Sequence, residues 1–298
     1  MSGLRGSCNC RSVGVLPKMR MMTTQYPPVS RPSRSGPGRR SRVAVAGLLC
    51  LGALLGTPSS GGAQVDIRIA AYNIRHGRGV DDRVDLPRIA DVLRSLDADV
   101  ITLQEVDDRT ERTDGVDQVQ VLAELLGYEG VHGPHRPYQG GFYGNAVLTR
   151  LPIRGERTRA IPPASGSALA VHEVEVVLSD QPFSTLVVVS VHLAGSEDER
   201  MAQADSVTSH FDERASPVIL AGDFNGRRES PVLDRLARDW VILAKDGSPL
   251  TYPSGNPDRE IDFVMIRPAD PIQIVSHSVV PEAVASDHRP LIAELRIR

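Results

Sequence analysis

Val218-Ile-Leu-Ala-Gly-Asp-Phe-Asn225 sets a short apolar run directly before an Asp-x-Asn pair. The run, with Pro217 before it, reads as a buried strand, and Asp223 and Asn225 stand where that strand ends. Other apolar segments close in the same way. Val65, Ile67, Ile69 and Ala71 alternate with polar or small residues, and Asn73 follows in Tyr72-Asn-Ile-Arg-His-Gly77. Ala98-Asp-Val-Ile-Thr-Leu-Gln104 runs into Glu105. Asn145 lies in Tyr143-Gly-Asn-Ala-Val-Leu-Thr149, and His192 ends Val187-Val-Val-Ser-Val-His-Leu193. Asp262 sits in Glu260-Ile-Asp-Phe-Val264, and Asp287-His288 in Ala285-Ser-Asp-His-Arg-Pro290. Strand C-termini line the crevice where α/β folds bind ligands. Carboxylates buried there need partners, and a hard divalent cation is one.

Singly, each residue has a plainer reading. A strand-ending Asn or Asp is usually a turn former, and a lone His after an apolar strand is usually a core or edge residue. The ordered set Asn, Glu, His, Asp-x-Asn, Asp and Asp-His is not explained by packing.

Between these strands the pattern predicts helices at 85–96, 117–126, 197–214 and 230–238. The first is capped by Asp85, has Pro87 in its first turn, and turns Leu86, Ile89, Ala90, Leu93 and Leu96 to one side. Strands 168–178 and 183–193 flank an Asp180-Gln-Pro182 turn, and further strands are expected near 260–266, 272–280 and 290–297. Single strands and hairpins alternate with helices. That mixture predicts two mixed β-sheets packed face to face with helices outside, in one domain.

The N-terminal fifth has another character. No acidic residue precedes Asp66, while nine of the 34 Lys and Arg do, and all three cysteines (Cys8, Cys10, Cys50) lie here. Residues 1–42 are basic, rich in Ser, Pro and Gly, and aperiodic, so they are expected to be disordered. Residues 43–63 hold the apolar run Val43–Gly56 behind Arg39, Arg40 and Arg42, then small residues to Ala63. This is the layout of a secretory signal cleaved after Ala63, with an uncleaved anchor as the alternative. Arg39-Arg40 is a weak twin-arginine feature, and Met19, Met21 and Met22 are alternative starts. The expected destination is periplasmic or secreted, with no stable membrane insertion of the mature chain. Residues 64–298 then form the folded domain, read as a monomer. They hold 25 basic and 37 acidic residues, about −12, which argues against a basic body built for backbone-phosphate binding. They hold no cysteine, which excludes a disulfide framework, a cysteine nucleophile and a zinc-thiolate site.

Taken in order, the strand-end residues resemble the endonuclease/exonuclease/phosphatase superfamily, the deoxyribonuclease-I-like fold, from Val65 to Arg298. Gly222-Asp-Phe-Asn225, Ser286-Asp-His-Arg-Pro290 and Leu103-Gln-Glu105 are its most specific pieces. Tyr72–Gly77 looks like exported bacterial metal-dependent hydrolases. The resemblance implies a four-layer αββα sandwich, dependence on Mg²⁺ or Mn²⁺, and hydrolysis of phosphate esters. It implies Glu105 as principal metal ligand with Asn73 and Asp287. It implies His288 facing the scissile phosphate, Asp262 orienting it, Asp223 and Asn225 positioning the attacking water, and His192 as a second histidine. Whether Asp223 or His288 takes the water's proton stays open. Many relatives carry an Arg or another phosphate-facing polar residue where this chain has Ser165-Gly-Ser-Ala-Leu169, which implies either a weaker phosphate grip or Asn145 and Arg75 as substitutes toward the substrate. Arg227-Arg228 are the nearest other cations, equally well read as a solvated loop. His132, His135, His172, His210 and Arg200 are assigned to surface or helix positions.

The leading expectation is therefore an exported metal-dependent phosphoesterase, with diesters ahead of monoesters. Its expected substrate is a small molecule or lipid head group, with nucleic acid possible. The alternatives are a secreted nuclease, a catalytically silent binding module, and a zinc hydrolase. The silent module would have lost Glu105, Asp223 or His288, and the zinc enzyme would show His-rich spacing.

Overall fold

The computed structural model describes residues 64–178 and 184–298. The expectations about residues 1–63, and the Asp180-Gln-Pro182 turn, lie outside the described residues.

Among the described residues, twelve strands form two six-stranded sheets. In chain order, the first sheet receives β1 (Val65–Asn73), β2 (Val100–Asp108), β3 (Glu129–Tyr138), β4 (Gly141–Thr149), and later β11 (Ile272–Val279) and β12 (Leu291–Ile297). The second is built from β5 (Ile153–Ala164), β6 (Ser167–Val177), β7 (Thr185–His192), β8 (Val218–Asp223), β9 (Val241–Ile242) and β10 (Asp262–Ile266). Their orders are β11-β12-β1-β2-β4-β3 and β5-β6-β7-β8-β10-β9. Four helices join them: α1 (Leu86–Leu96), α2 (Gln118–Leu126), α3 (Glu197–Phe211) and α4 (Pro231–Leu236). None of the described helices is long and apolar enough to cross a membrane.

Side-chain alternation explains the layering. Ile67, Ile69 and Ala71 of β1 face the second sheet, while Ala70 and Tyr72 face α1 and α2. On β7, Leu186 and Val188 point between the sheets, and Val187, Val189 and Val191 point at α3 and α4. The result is the αββα sandwich expected above. The helices start where capping chemistry places them. The Asp85 carboxylate accepts the Arg88 N–H at 2.9 Å, and Ser196 and Glu199 form a reciprocal capping box on α3.

Besides the two-residue β9, two strands, β3 and β5, were not expected from the pattern. Both are edge strands paired on one side, and β5 exposes most of its residues. An edge strand needs no alternating apolar stripe, and Pro and Gly are tolerated in it.

The topology sets the site. β1 and β2 run parallel, as do β7 and β8, so both central pairs end on the same side. His192 is in register with Asp223, and antiparallel β10 starts there with Asp262 opposite Asp223. Under this edge a polar seam ties the sheets together. Thr102 Oγ1 donates to the Ala221 carbonyl at 3.2 Å, and Gln104 Nε2 to Ser190 Oγ at 2.9 Å. Ser190 Oγ donates to the Leu103 carbonyl at 2.9 Å.

Candidate active site

Glu105 does not simply end its strand. β2 runs on to Asp108 through a bulge in its pairing with β4, and Glu105 sits at that bulge with φ +57°. A bulge re-aims a side chain, and a non-glycine residue held at positive φ stores strain that functional sites tolerate. Glu105 is half-buried and lines a crevice of about 600 Å³ with Asp223, Asn225, Asp287 and His288.

Asn73 knits two carboxylates together. Its Nδ2 donates to Glu105 Oε1 and to Asp223 Oδ2, each at 3.1 Å. Its Oδ1 accepts the Arg75 N–H at 3.0 Å. The structure therefore turns the amide N–H of Asn73, rather than its oxygen, toward the acidic cluster. Asn225 (φ +48°) fixes Asp223 from the other side, its backbone N–H on Oδ1 at 2.8 Å and its Nδ2 on Oδ2 at 3.2 Å.

Asp262 and His288 form a close pair, with His288 Nδ1 3.0 and 3.1 Å from the two carboxylate oxygens. His288 Nε2 lies 3.7 Å from Asp223 Oδ2, and His192 Nε2 is at the same distance from that atom. Burial alone lowers the His288 pKa, but Asp262 and Asp223 outweigh it and push it up to about 10. Burial raises Asp223 to about 6 against the opposing pull of His288. Ser286 Oγ donates to the Asn73 carbonyl at 2.7 Å, which fastens the Asp287-His288 loop to β1.

Close approach explains one glycine here. Gly222 has φ +146°, and a Cβ on it would lie 2.1 Å from the Val191 carbonyl oxygen. Only glycine lets β8 meet β7 at the point where Asp223 emerges.

Not every candidate residue reaches the crevice. Asn145 is fully buried and donates to the Ser190 carbonyl at 3.0 Å, so it belongs to the seam between the sheets. Arg75 faces Asp287 at 3.6 Å instead of lining the crevice. Neither stands in for a phosphate-facing side chain near Ser165–Leu169, where the Ser165 N–H is bound by Glu199. His135 and His172 are buried on β3 and β6, not at the surface. The His135 ring lies 6.4 Å from that of His192, and neither of its nitrogens has a partner among the described residues. Arg200, read as a helix-surface residue, lines the crevice. Tyr252 was missed altogether. Its ring lies 4.8 Å from His288, and no periodic pattern marks the loop that carries it.

The profile of the Endonuclease/Exonuclease/phosphatase family matches residues 70–288. The chain belongs to this family. Members of the endonuclease/exonuclease/phosphatase family hydrolyse phosphoesters and generally depend on divalent metal. The chain is 26% identical to the Escherichia coli K12 protein YbhP over 248 residues, 78% of this chain and 98% of that protein. A family structure from Beutenbergia cavernae is similar at a TM-score of 0.60 and 25% identity, covering 78% of this chain and 72% of that one. The mannosyl-6-phosphatase Bt3783 of Bacteroides thetaiotaomicron shares the fold at a TM-score of 0.60 and 17% identity, covering 77% and 99%.

The donor set fits the family's metal. Glu105 uses Oε1 for Asn73 and leaves Oε2 to the crevice, and Asp287 enters from the opposite loop. All the oxygens offered are hard donors, the kind Mg²⁺ and Mn²⁺ select. Asp223, Asp262 and His288 also bring ligand atoms within 4.8 Å of one another, but Asp262 and His288 are already spent on each other.

Proposed function

We propose that this chain is an exported, Mg²⁺- or Mn²⁺-dependent phosphoesterase that hydrolyses small phosphodiesters, or phosphomonoesters, by attack of water. The observation that carries the reading is the convergence of Glu105, Asp223 and the Asp262–His288 pair on one crevice. Glu105 and Asp287 would hold the divalent ion. The chemistry it would supply there is charge neutralisation on the phosphoryl oxygens during in-line displacement. Asn73 sets the direction of the Glu105 carboxylate and is a positioning residue, not a ligand.

The residues divide the proton work. With its pKa near 6, Asp223 is ionised at neutral pH and takes the proton of the attacking water, held in aim by Asn225. His288, charged through Asp262, offers its Nε2–H to the phosphoryl oxygen on which charge develops. His192, buried behind the crevice lining, brings Nε2 to 3.7 Å from the same Asp223 oxygen. A crevice of about 600 Å³ suits a small substrate, and one fold neighbour is a mannosyl-6-phosphatase.

The test is metal-dependent turnover of a chromogenic diester by residues 64–298. Activity disappears with EDTA and returns with Mg²⁺ or Mn²⁺. Glu105→Ala removes it with the circular-dichroism spectrum unchanged. Full turnover by that variant at saturating metal would overturn the assignment. Export is tested separately by N-terminal sequencing of secreted protein, which should begin near Gln64; retention of Val43–Gly56 would mean an anchor.

A further inference from the structure

The crevice extends beyond the reacting centre. Asp223 and His288 are buried at its inner end beside half-buried Glu105 and Asp287, whereas the arginines that also line it, Arg200, Arg227 and Arg259, are half-buried or exposed and mark its outer part. Three separate segments supply these arginines: α3, the loop after β8, and the loop before β10. Arg200 donates to the Gly195 carbonyl, and its Nε is buried without a partner among the described residues. Arg227 is exposed and forms no ion pair among the described residues. Arg259 binds Asp258 at 2.6 Å and stacks over Tyr252, 5.2 Å from the ring centroid. Tyr252 in turn packs on His288 at 4.8 Å, so Arg259 sits one aromatic ring further out than the phosphate-facing histidine. Glu197 and Glu229 line the same space and Asp258 pairs with Arg259, so the outer part is balanced in net charge and offers guanidinium donors, Arg227 foremost, where the inner end offers carboxylates.

A guanidinium pairs with carboxylate, phosphate and sulfonate through parallel N–H bonds. At the inner end, His288, with the divalent ion that Glu105 and Asp287 would hold, meets the charge of a reacting phosphate. Arg259 is separated from that position by the Tyr252 ring, and Arg227 is exposed at the rim. We propose that they form a subsite for a second anionic group on the substrate. The substrate class is then a small phosphoester whose remaining arm carries a carboxylate or a further phosphate. The inference rests on the phosphoesterase reading for the inner end, but its binding arm does not need turnover.

Two matched pairs of probes test it. Ethyl and 2-sulfoethyl 4-nitrophenyl phosphate differ only in a second anion, and sulfonate competes little for metal. The wild type should favour the sulfoethyl ester in kcat/KM by tenfold or more at low salt, mainly through KM, and lose the preference as salt screens it. Arg227→Ala and Arg259→Ala should each reduce the ratio, their combination should bring it near one, and Arg227→Lys should restore part of it. Because the readout is a ratio, damage to fold or metal binding affects both esters alike. In parallel, 2-sulfoethylphosphonate should bind tenfold tighter than ethylphosphonate by calorimetry, and the double variant should erase the gap. Equal use of both esters, or a preference that survives the double variant, would overturn the subsite. Discrimination in binding with neither ester hydrolysed would sustain the subsite and remove the phosphoesterase reading.

Discussion

His288 is charged because two carboxylates face it, Asp262 at Nδ1 and Asp223 near Nε2. Burial by itself would strip the proton, so the charge depends on those neighbours. The rate should rise with pH as Asp223 ionises near 6, and fall as His288 deprotonates near 10. Asp262→Asn removes the main support for the imidazolium, so the alkaline limb should move to lower pH while the acidic limb moves less. Asp262→Asn and His288→Ala should each cost about a hundredfold or more in kcat, the scale of one acid–base contribution. The double variant should cost little beyond either single one, because the two act as a unit. Multiplicative losses, or an unmoved alkaline limb, would refute the pairing.

Strands place these residues, and their spacing depends on backbone contact. β7 and β8 approach so closely at Gly222 that a methyl group would collide with the Val191 carbonyl. Gly222→Ala combines that collision with a backbone angle that alanine rarely adopts, and should destabilise by about 2 kcal/mol or more. Gly155 lies on the exposed edge strand β5, and a Cβ there would meet no atom within 4 Å. Gly155→Ala should stay within about 0.5 kcal/mol of wild type. Urea midpoints of the two variants measure the contrast, and similar midpoints would contradict the close-approach argument. The bulge at Glu105 acts at the same level. It lets β2 continue its pairing to Asp108 while one side chain turns into the crevice.

At the scale of the folded domain, the charge of residues 64–298 argues against duplex nucleic acid as the favoured substrate. Residues 64–298 carry 25 basic and 37 acidic residues, about −12, and binding through a nucleic-acid backbone needs a cationic track. The local cluster of cations at the crevice comprises Arg200, Arg227 and Arg259, in a space of about 600 Å³. Small or lipid-head-group phosphodiesters should therefore be cleaved with higher kcat/KM than duplex DNA at about 150 mM salt. Efficient plasmid degradation without hydrolysis of small esters, at matched metal and salt, would instead identify a nuclease.

Buried strands and capped helices were legible in the residues because their signals are local. Val65–Asn73, Leu86–Leu96 and Val218–Asp223 carry apolar periodicity and capping side chains within a few positions. The ordered strand-end residues Asn73, Glu105, His192, Asp223, Asp262 and His288 likewise identified the family and the side chains that meet. Edge strands β3 and β5 were not legible, since a strand paired on one side and open to water needs no pattern. Nor could the order of residues tell which polar groups face the crevice and which face the other sheet. Asn145 and Arg75 looked like substrate contacts, yet one bonds the Ser190 carbonyl and the other faces Asp287. Tyr252, Arg200 and Arg259 enter the crevice only because α3 and the loop before β10 fold over the same sheet edge. Local periodicity and capping write elements into a sequence; the direction of a loop side chain is decided by contacts between segments far apart in the chain.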